Sequence, residues 1–160
     1  MPISADNFEE TYKLFTNDFV RKYLFDDEVI SRETAHSFIT TSNQNFQQKG
    51  YGLWTIHVKE SNSLIGFTGL WHFFNENQPQ LLYALLPNHT KLGYAKEAAQ
   101  KIIEYAWKYL NFDFLDASCD TPNTASFKTA IGIGMTKMKE ILIDNKPTTF
   151  FRIYKNERQS

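Results

Sequence analysis

The strongest constraint on the fold lies at residues 85–110, where a short apolar run leads through a polar loop into a long helix. Leu85 and Leu86 end the run, and Gly93 opens the helical pattern. From Gly93 to Leu110 the apolar residues recur at steps of three and four, which predicts an amphipathic helix. Because the first N–H groups of a helix lack intrahelical partners, a glycine at this end lets a phosphate approach the backbone. The segment therefore predicts an anion site, although a glycine before a helix is more often only a turn.

Hydrophobic periodicity also orders the remaining elements of the chain. Short polar turns separate the first three extended runs, which favours an antiparallel meander. A strand, the long helix and another strand follow, which implies one parallel crossover. We therefore expect residues 1–160 to form one α+β domain whose mixed, mostly antiparallel sheet has six to seven strands, a central parallel pair and flanking helices. The expected helices lie at about 6–15, 31–48, 93–110 and 123–133, with only a brief apolar run at 23–25, and the expected strands at about 51–58, 64–74, 81–86, 112–119, 136–143 and 148–154.

Composition excludes several classes of protein. The chain has 17 basic and 18 acidic residues, a net charge of −1, so it offers no electrostatic footprint for nucleic acid or an anionic membrane. No apolar run approaches membrane-spanning length. The single cysteine, Cys119, and a polar, acidic start without a signal peptide predict a cytoplasmic protein. The four histidines lack the spacing of a metal site, so we expect no bound metal.

Four short motifs occur in order along the chain. They are YGLW at 51–54, LIGFTGL at 64–70, GYAKEA at 93–98 and PNTAS at 122–126, and Gly134-Met135 follows the last helix. Together with the order of the elements, these motifs resemble the Gcn5-related N-acetyltransferase (GNAT) family. The closest likeness is to its branch of ribosomal-protein N-terminal acetyltransferases of the RimJ and RimL kind. The resemblance extends from about residue 6 to residue 154.

The resemblance implies acetyl-CoA as cosubstrate and no metal. The strand ending at Leu85 and Leu86 is similar to the family strand that holds the pantetheine arm through backbone bonds, and its N–H near Leu85 would polarise the thioester carbonyl. Asn123 resembles the asparagine that contacts the cofactor arm. The residues that resemble the pyrophosphate loop are Lys91, Leu92, Gly93, Tyr94, Ala95 and Lys96.

Three positions depart from the family pattern. Lys91 replaces a loop glycine, so the loop is either strained or bent differently, and the lysine points either to a phosphate or into solvent. Ala130 replaces the tyrosine that protonates the departing thiolate in many members, and Ser126 is the candidate acid, with local hydrogen bonding at the helix start as the alternative. Gln80 replaces the glutamate base and cannot accept the proton of the amine. Water, His72 or a backbone-bound relay would have to help, and no base is assigned.

Aromatic side chains and the cysteine allow two interpretations each. Trp54, Trp71 and Phe73 either form an aromatic wall for the acceptor or pack in the core, which is the default. His72 either faces the acceptor cleft or is an ordinary core or surface residue. No neighbouring His or Arg would stabilise a thiolate at Cys119, so a buried strand residue is expected there.

The sequence therefore predicts an acetyl-CoA-dependent N-acetyltransferase that transfers the acetyl group directly to a primary amine, either a protein N-terminus or a small molecule. The first alternative is a noncatalytic acyl-CoA-binding module of the same fold. The second is a small α/β interaction domain without a cofactor. The abundant aromatic residues, 16% of the chain, could support a homodimer.

Overall fold

The computed structural model describes residues 1–155, which contain five α-helices and six strands in the order α-α-α-β-β-β-α-β-α-β-β. Two short 3₁₀ turns, Ala5–Asn7 and Pro87–His89, precede helical segments. The helices are α1 (Phe8–Thr16), α2 (Asp18–Leu24), α3 (Arg32–Lys49), α4 (Tyr94–Tyr109) and α5 (Thr124–Gly132). The strands are β1 (Leu53–His57), β2 (Leu64–Trp71), β3 (Gln80–Leu85), β4 (Phe114–Asp120), β5 (Thr136–Ile143) and β6 (Lys146–Tyr154).

Side-chain and glycine caps set the helix ends. Ser31 caps α3, because its hydroxyl accepts a hydrogen bond from the Thr34 N–H at 3.1 Å, and Gly50 ends that helix at φ 80°. Helix α2 corrects the expectation of a mere apolar run at 23–25. The Asn17 side chain accepts hydrogen bonds from the N–H groups of Phe19 and Val20, and so starts a short helix there.

The strands form two antiparallel sheets rather than the single mixed sheet that we expected. Their orders are β1-β2-β3 and β4-β6-β5. Within residues 1–155 no ladder joins β3 to β4, so the expected central parallel pair is not a hydrogen-bonded pair. Side chains connect the two strands instead: Gln78 donates to the Phe114 carbonyl at 2.6 Å, and Ser118 donates to the Gln80 amide oxygen at 2.7 Å.

Several strand ends also differ from the expected ones. Strand β2 ends at Trp71 rather than at residue 74, because Phe73 and Phe74 belong to a turn held by Glu76, whose carboxylate accepts both backbone N–H groups. Strand β6 begins at Lys146 rather than at residue 148, since it pairs with β5 up to the two-residue turn of the hairpin.

Two apolar clusters hold the helices against the sheets. One lies where α4 and α5 pack, and Ile103, Leu115 and Phe151 are nearly inaccessible within it. The other lies under α1 and α3, around Phe15 and Phe67. The gap between β3 and β4 is therefore bordered by packed elements on both sides. No helix in the described part of the chain is long and apolar enough to span a membrane.

Candidate active site

The loop before α4 presents open backbone donors. Gly93 is the N-cap of α4 at φ 88°, and no side chain caps the helix there. A Cβ built on Gly93 would meet no atom within 4 Å, so the space in front of it is open. Because α4 begins at Tyr94, the first N–H groups of the helix have no intrahelical acceptor. This geometry suits an anion, and it places the predicted residues Tyr94, Ala95 and Lys96 in the first turn.

Lys91 adopts a left-handed backbone conformation, which the glycine found at this position of the family pattern would favour. Its φ is 63°, and its side chain is exposed, as is that of Leu92. Lys91 is therefore strained at its backbone, which is one of the two outcomes that the sequence allowed. His89 lies against Tyr94, with the ring centres 6.3 Å apart. Its buried Nδ1 has no hydrogen-bond partner among the described residues.

Strand β3 turns free backbone groups toward β4. Leu86 donates its N–H to the Ile65 carbonyl at 2.8 Å, so residue 86 faces β2. Hydrogen-bonding direction alternates along an antiparallel strand, and Leu85, opposite Gly66 in the register, therefore directs its N–H away from β2. That N–H points into the gap that no ladder closes. The predicted polarising donor thus has a position that permits the role.

Tyr83, Ser126 and Asn123 connect β3 to the start of α5. The Tyr83 hydroxyl donates to the Ser126 carbonyl at 3.0 Å, and burial raises the Tyr83 pKa well above its usual value. Ser126 donates its N–H to the Asn123 side-chain oxygen at 3.2 Å. Asn123 therefore caps α5, and only its amide N–H groups remain for a ligand. The Ser126 hydroxyl has no hydrogen-bond partner among residues 1–155.

A cavity of about 260 Å³ opens where β3 and β4 separate. Ser126 borders it, but the loop at residues 91–96 does not. The structure thus brings the candidate acid to the cavity and leaves the anion loop on the outer part of β3 and α4. The wall comprises Tyr23, Leu24, Asp26, Phe73, Phe74, Leu81, Leu82, Tyr83, Ala117, Ser118, Cys119, Asp120, Ser126, Ile143, Asp144, Lys146 and Thr148.

The cavity wall carries charges that the sequence did not single out. Lys146 forms an ion pair with Asp26, with Nζ and Oδ1 2.5 Å apart. Burial raises the pKa of the Asp120 carboxyl, the Lys146 charge lowers it, and Asp26 raises it further. Burial raises the pKa of Cys119 to about 11, helped by the Asp120 charge, which agrees with an inert thiol. These residues come from the turn after α2, from the end of β4 and from the start of β6, so no sequence spacing could have grouped all of them.

The other residues weighed from sequence lie away from this cavity, except Phe73. Gln80 is buried, and its side-chain oxygen accepts a hydrogen bond from the Ser118 hydroxyl. This bond connects β3 to β4 near the start of β3. His72 lies between the Tyr51 hydroxyl, at 2.8 Å, and the Glu76 carbonyl, at 2.9 Å, and borders a separate open groove. Both ring nitrogens are engaged there. Trp54 and Trp71 pack against Phe46, Tyr105 and Phe38.

Within the described residues, no group of three or more His, Cys, Asp or Glu side chains is arranged to hold a metal ion.

A model of the acetyltransferase (GNAT) domain matches residues 1–136 of the chain. The uncharacterized N-acetyltransferase YnaD of Bacillus subtilis is 27% identical over 131 residues, which cover 82% of this chain and 74% of that protein. The spermidine N-acetyltransferase of Vibrio cholerae, solved in complex with CoA and spermine, has a TM-score of 0.82 at 12% identity and covers 100% of this chain and 96% of its own. The ribosomal-protein-S5-alanine acetyltransferase of Vibrio fischeri has a TM-score of 0.77 at 13% identity, with 98% and 92% covered.

Fold and sequence together define an acetyltransferase. The family model covers most of the chain, and the chain belongs to the GNAT family of N-acetyltransferases. The structural likenesses, at such low identity, establish the α+β GNAT fold and nothing finer. The predictions of an enzyme and of an N-acetyltransferase are thereby confirmed.

Proposed function

We propose that the protein transfers an acetyl group from acetyl-CoA directly to a primary amine. The observation that carries this proposal is that open backbone donors occur at the start of α4 and at Leu85, while a cavity bordered by Ser126 opens at residues 81–83 of the same strand β3. When bound, acetyl-CoA supplies a thioester whose carbonyl carbon accepts the amine. The donors fit such a molecule, because the helix end suits a diphosphate and the free strand edge suits an extended amide-bearing arm.

Each proposed role belongs to a particular group of this chain. Gly93 and the N–H groups of residues 94–96 hold the diphosphate, with the Lys91 ammonium free to approach it. The Leu85 N–H donates to the carbonyl oxygen where negative charge develops, and it does so from a fixed strand without reorganisation. The Asn123 amide donates to the pantetheine arm. The Ser126 hydroxyl, which has no hydrogen-bond partner among residues 1–155, donates a proton to the departing sulfur.

The acceptor amine enters the gap between β3 and β4 from the side opposite to the cofactor. Helix α2, the turn at Phe73 and Phe74, and the β5–β6 turn enclose the cavity, which admits a narrow primary amine. A small amine and the first residue of a peptide both present that group, and the motif likeness to the RimJ and RimL branch supports the second. The solved spermidine N-acetyltransferase, described with spermine, supports the first.

Cofactor binding is the first test of the proposal. Saturating acetyl-CoA should raise the melting temperature, because a ligand that binds only the native state stabilises it by about 2.7 kcal/mol at a hundred times its Kd. Desulfo-CoA analogues lacking the acetyl group serve as a comparison, and adenine alone should give a far smaller shift. A melting curve unchanged at millimolar acetyl-CoA would contradict the proposal.

Turnover is the second test, and it separates the enzyme from the noncatalytic acyl-CoA-binding alternative suggested by Gln80, Ala130 and Lys91. Thiol release is followed with small amines, spermidine and peptides that begin with serine or alanine. Activity with peptides alone would assign a protein N-terminus as the acceptor, and activity with small amines alone would assign a metabolite. Binding without turnover on every acceptor would favour the noncatalytic module.

Assembly and location form part of the same proposal. Strand β5 is the edge of its sheet and exposes Met138, Ile141 and Leu142, which supports a homodimer through this face. Cys119 is a free, partly buried thiol with a raised pKa, which supports a protein of the reducing cytoplasm.

A further inference from the structure

Asp120 occupies a distinctive place in the cavity wall. It is the last residue of β4, and its backbone carbonyl accepts the Asn123 N–H at 2.8 Å, which fixes the turn into α5. The carboxylate itself has neither a hydrogen bond nor an ion pair within 4 Å among residues 1–155. It borders the same cavity as Tyr83 and Ser126. A partly buried carboxylate with free acceptor oxygens is therefore available to whatever enters the cavity.

The charged and titratable side chains that share the cavity wall with Asp120 come from several elements of the fold. Lys146 is the one cation in the wall, and its ammonium is engaged by Asp26 at 2.5 Å rather than by Asp120. Desolvation and the Asp26 charge favour the protonated form of Asp120, and Lys146 opposes them, with a raised pKa as the net result. The titratable and charged groups of the wall are Tyr23, Asp26, Tyr83, Cys119, Asp120, Asp144 and Lys146.

The other carboxylates of the described wall are less suited to remove a proton from an amine, because Asp26 is paired with Lys146 and Asp144 is exposed. Cys119, with its pKa raised to about 11, remains protonated at neutral pH. The Tyr83 hydroxyl already donates to the Ser126 carbonyl. Gln80 has no basic form, and His72 faces a different groove. A carboxylate whose proton affinity is higher than usual meets the requirement better than an exposed one.

We propose that Asp120 is the catalytic proton acceptor of the acetyl transfer, at a position distinct from the family glutamate that Gln80 replaces. The inference rests on the proposed function, because it needs an amine acceptor in the cavity. The carboxylate first receives a hydrogen bond from the protonated amine, which pairs the incoming cation with a partly buried negative charge. It then removes the proton and frees the nitrogen lone pair.

The acetyl transfer conserves atoms and charge. The ammonium proton moves to Asp120, and the nitrogen lone pair forms the N–C bond while the C–S bond of the thioester breaks. The sulfur takes a proton from the Ser126 hydroxyl. Ser126 is reprotonated by the second hydrogen that the nitrogen loses on becoming an amide, and Asp120 releases its proton to solvent. The products are the N-acetyl amine, the free thiol and one proton.

The test compares Asp120→Asn with the wild-type enzyme on two amines of similar size, ethylamine and 2,2,2-trifluoroethylamine. Ethylamine is almost wholly protonated at neutral pH and needs a base, whereas the fluorinated amine is largely neutral there. General-base catalysis contributes roughly 10²–10⁴-fold, so we expect kcat/KM for ethylamine to fall at least about 100-fold. The loss for the fluorinated amine should be much smaller, and Asp120→Glu should restore part of the ethylamine rate.

Two controls separate chemistry from folding and from cofactor binding. Asp113→Asn makes the same carboxylate-to-amide change at an exposed position just before β4, and should leave rates unchanged. The acetyl-CoA thermal shift should be the same in Asp120→Asn as in the wild type. Equal loss on both amines, or an undiminished ethylamine rate, would overturn the assignment of Asp120. A wild-type enzyme that binds no acetyl-CoA would instead overturn the proposed function.

Discussion

Gly93 and Lys91 adopt left-handed backbone conformations within three residues of each other, yet their tolerance of substitution differs. Lysine already occupies φ 63° at position 91. A β-branched residue at φ 88° is far less favourable and costs roughly 1–3 kcal/mol, which the loop can relieve only by rotating its amides. We therefore expect Gly93→Val to weaken acetyl-CoA binding at least about tenfold by calorimetry, while the domain stays folded because the added side chain meets open space.

Gly132→Ala is the matched control for that substitution. It also places a new Cβ where no atom lies within 4 Å, but Gly132 has no left-handed φ. Cofactor affinity should therefore be unchanged in this variant. Wild-type affinity in Gly93→Val would show that the loop does not hold the cofactor.

Ser126 allows a cleaner separation of binding from chemistry. Its hydroxyl makes no hydrogen bond within residues 1–155, so Ser126→Ala should change the unfolding free energy by no more than about 0.5 kcal/mol. We expect kcat to fall about tenfold or more, with the Kd for acetyl-CoA nearly unchanged, measured by thiol release and calorimetry. Unchanged turnover would show that the hydroxyl is not the acid, and would favour the alternative of local hydrogen bonding at the helix start.

The sequence motifs identified candidate residues that lie in contiguous patterns, but not the charged residues that the fold brings into the cavity wall. Gly93, Leu85 and Ser126 lie in or beside contiguous patterns, so their local geometry follows from nearby residues. Asp120 and Lys146 line one cavity only after β4 and β6 have come together in the fold, and nothing in their spacing along the chain indicates it. Their roles remain predictions, as do those of the motif residues.

At the scale of elements, the Tyr83 hydroxyl joins β3 to α5 across the gap. Tyr83→Phe would leave the Ser126 carbonyl without this donor, and such a bond contributes about 1 kcal/mol. We expect the urea unfolding midpoint to fall by an amount corresponding to about 1 kcal/mol. A modest drop in kcat should accompany it, because α5 would hold Ser126 less firmly. A midpoint equal to that of the wild type would show that the bond carries no net stability.

Helices were predicted better than strand pairing, for a physical reason. Ser31 and Gly50 act within a few residues of the helix that they end, so the sequence displays them directly. Helix α2 was missed because seven residues hold too few turns for periodicity, and its start depends on Asn17. The relation of β3 to β4 depends on contacts between Gln80 and Ser118, 38 residues apart.

At the scale of the molecule, the division into two sheets creates the candidate active site. Had β3 and β4 joined by a ladder, the Leu85 N–H would have been consumed by strand pairing and the cavity would not exist. The hydrogen bond between Ser118 and Gln80 connects the two strands at the start of β3, and the cavity opens beyond it, at residues 81–83. The departure from a single continuous sheet is thus what the proposed chemistry requires.

The exposed face of β5 belongs to the same scale, because its role depends on a second copy of the chain. The strand has a bulge between Lys137 and Lys139, which discourages edge-to-edge pairing, so association would proceed through side chains. Ile141 is 42% exposed and Leu142 is 70% exposed. We expect a dimer in sedimentation equilibrium at micromolar concentration, and a monomer for the double variant Ile141→Lys with Leu142→Lys, since buried like charges oppose association.

Val29→Lys is the control for the dimer, because it also places a lysine at an exposed apolar residue, 63% accessible, but far from β5 in the sequence. It should sediment as the wild type does. Strand β5 forms one side of the hairpin whose turn carries Asp144 into the cavity wall. Dissociation should therefore raise the KM for the acceptor more than it lowers kcat, since the proposed reacting groups lie on other elements. A wild-type chain that sediments as a monomer at every concentration would refute the assembly while leaving the acetyl transfer intact.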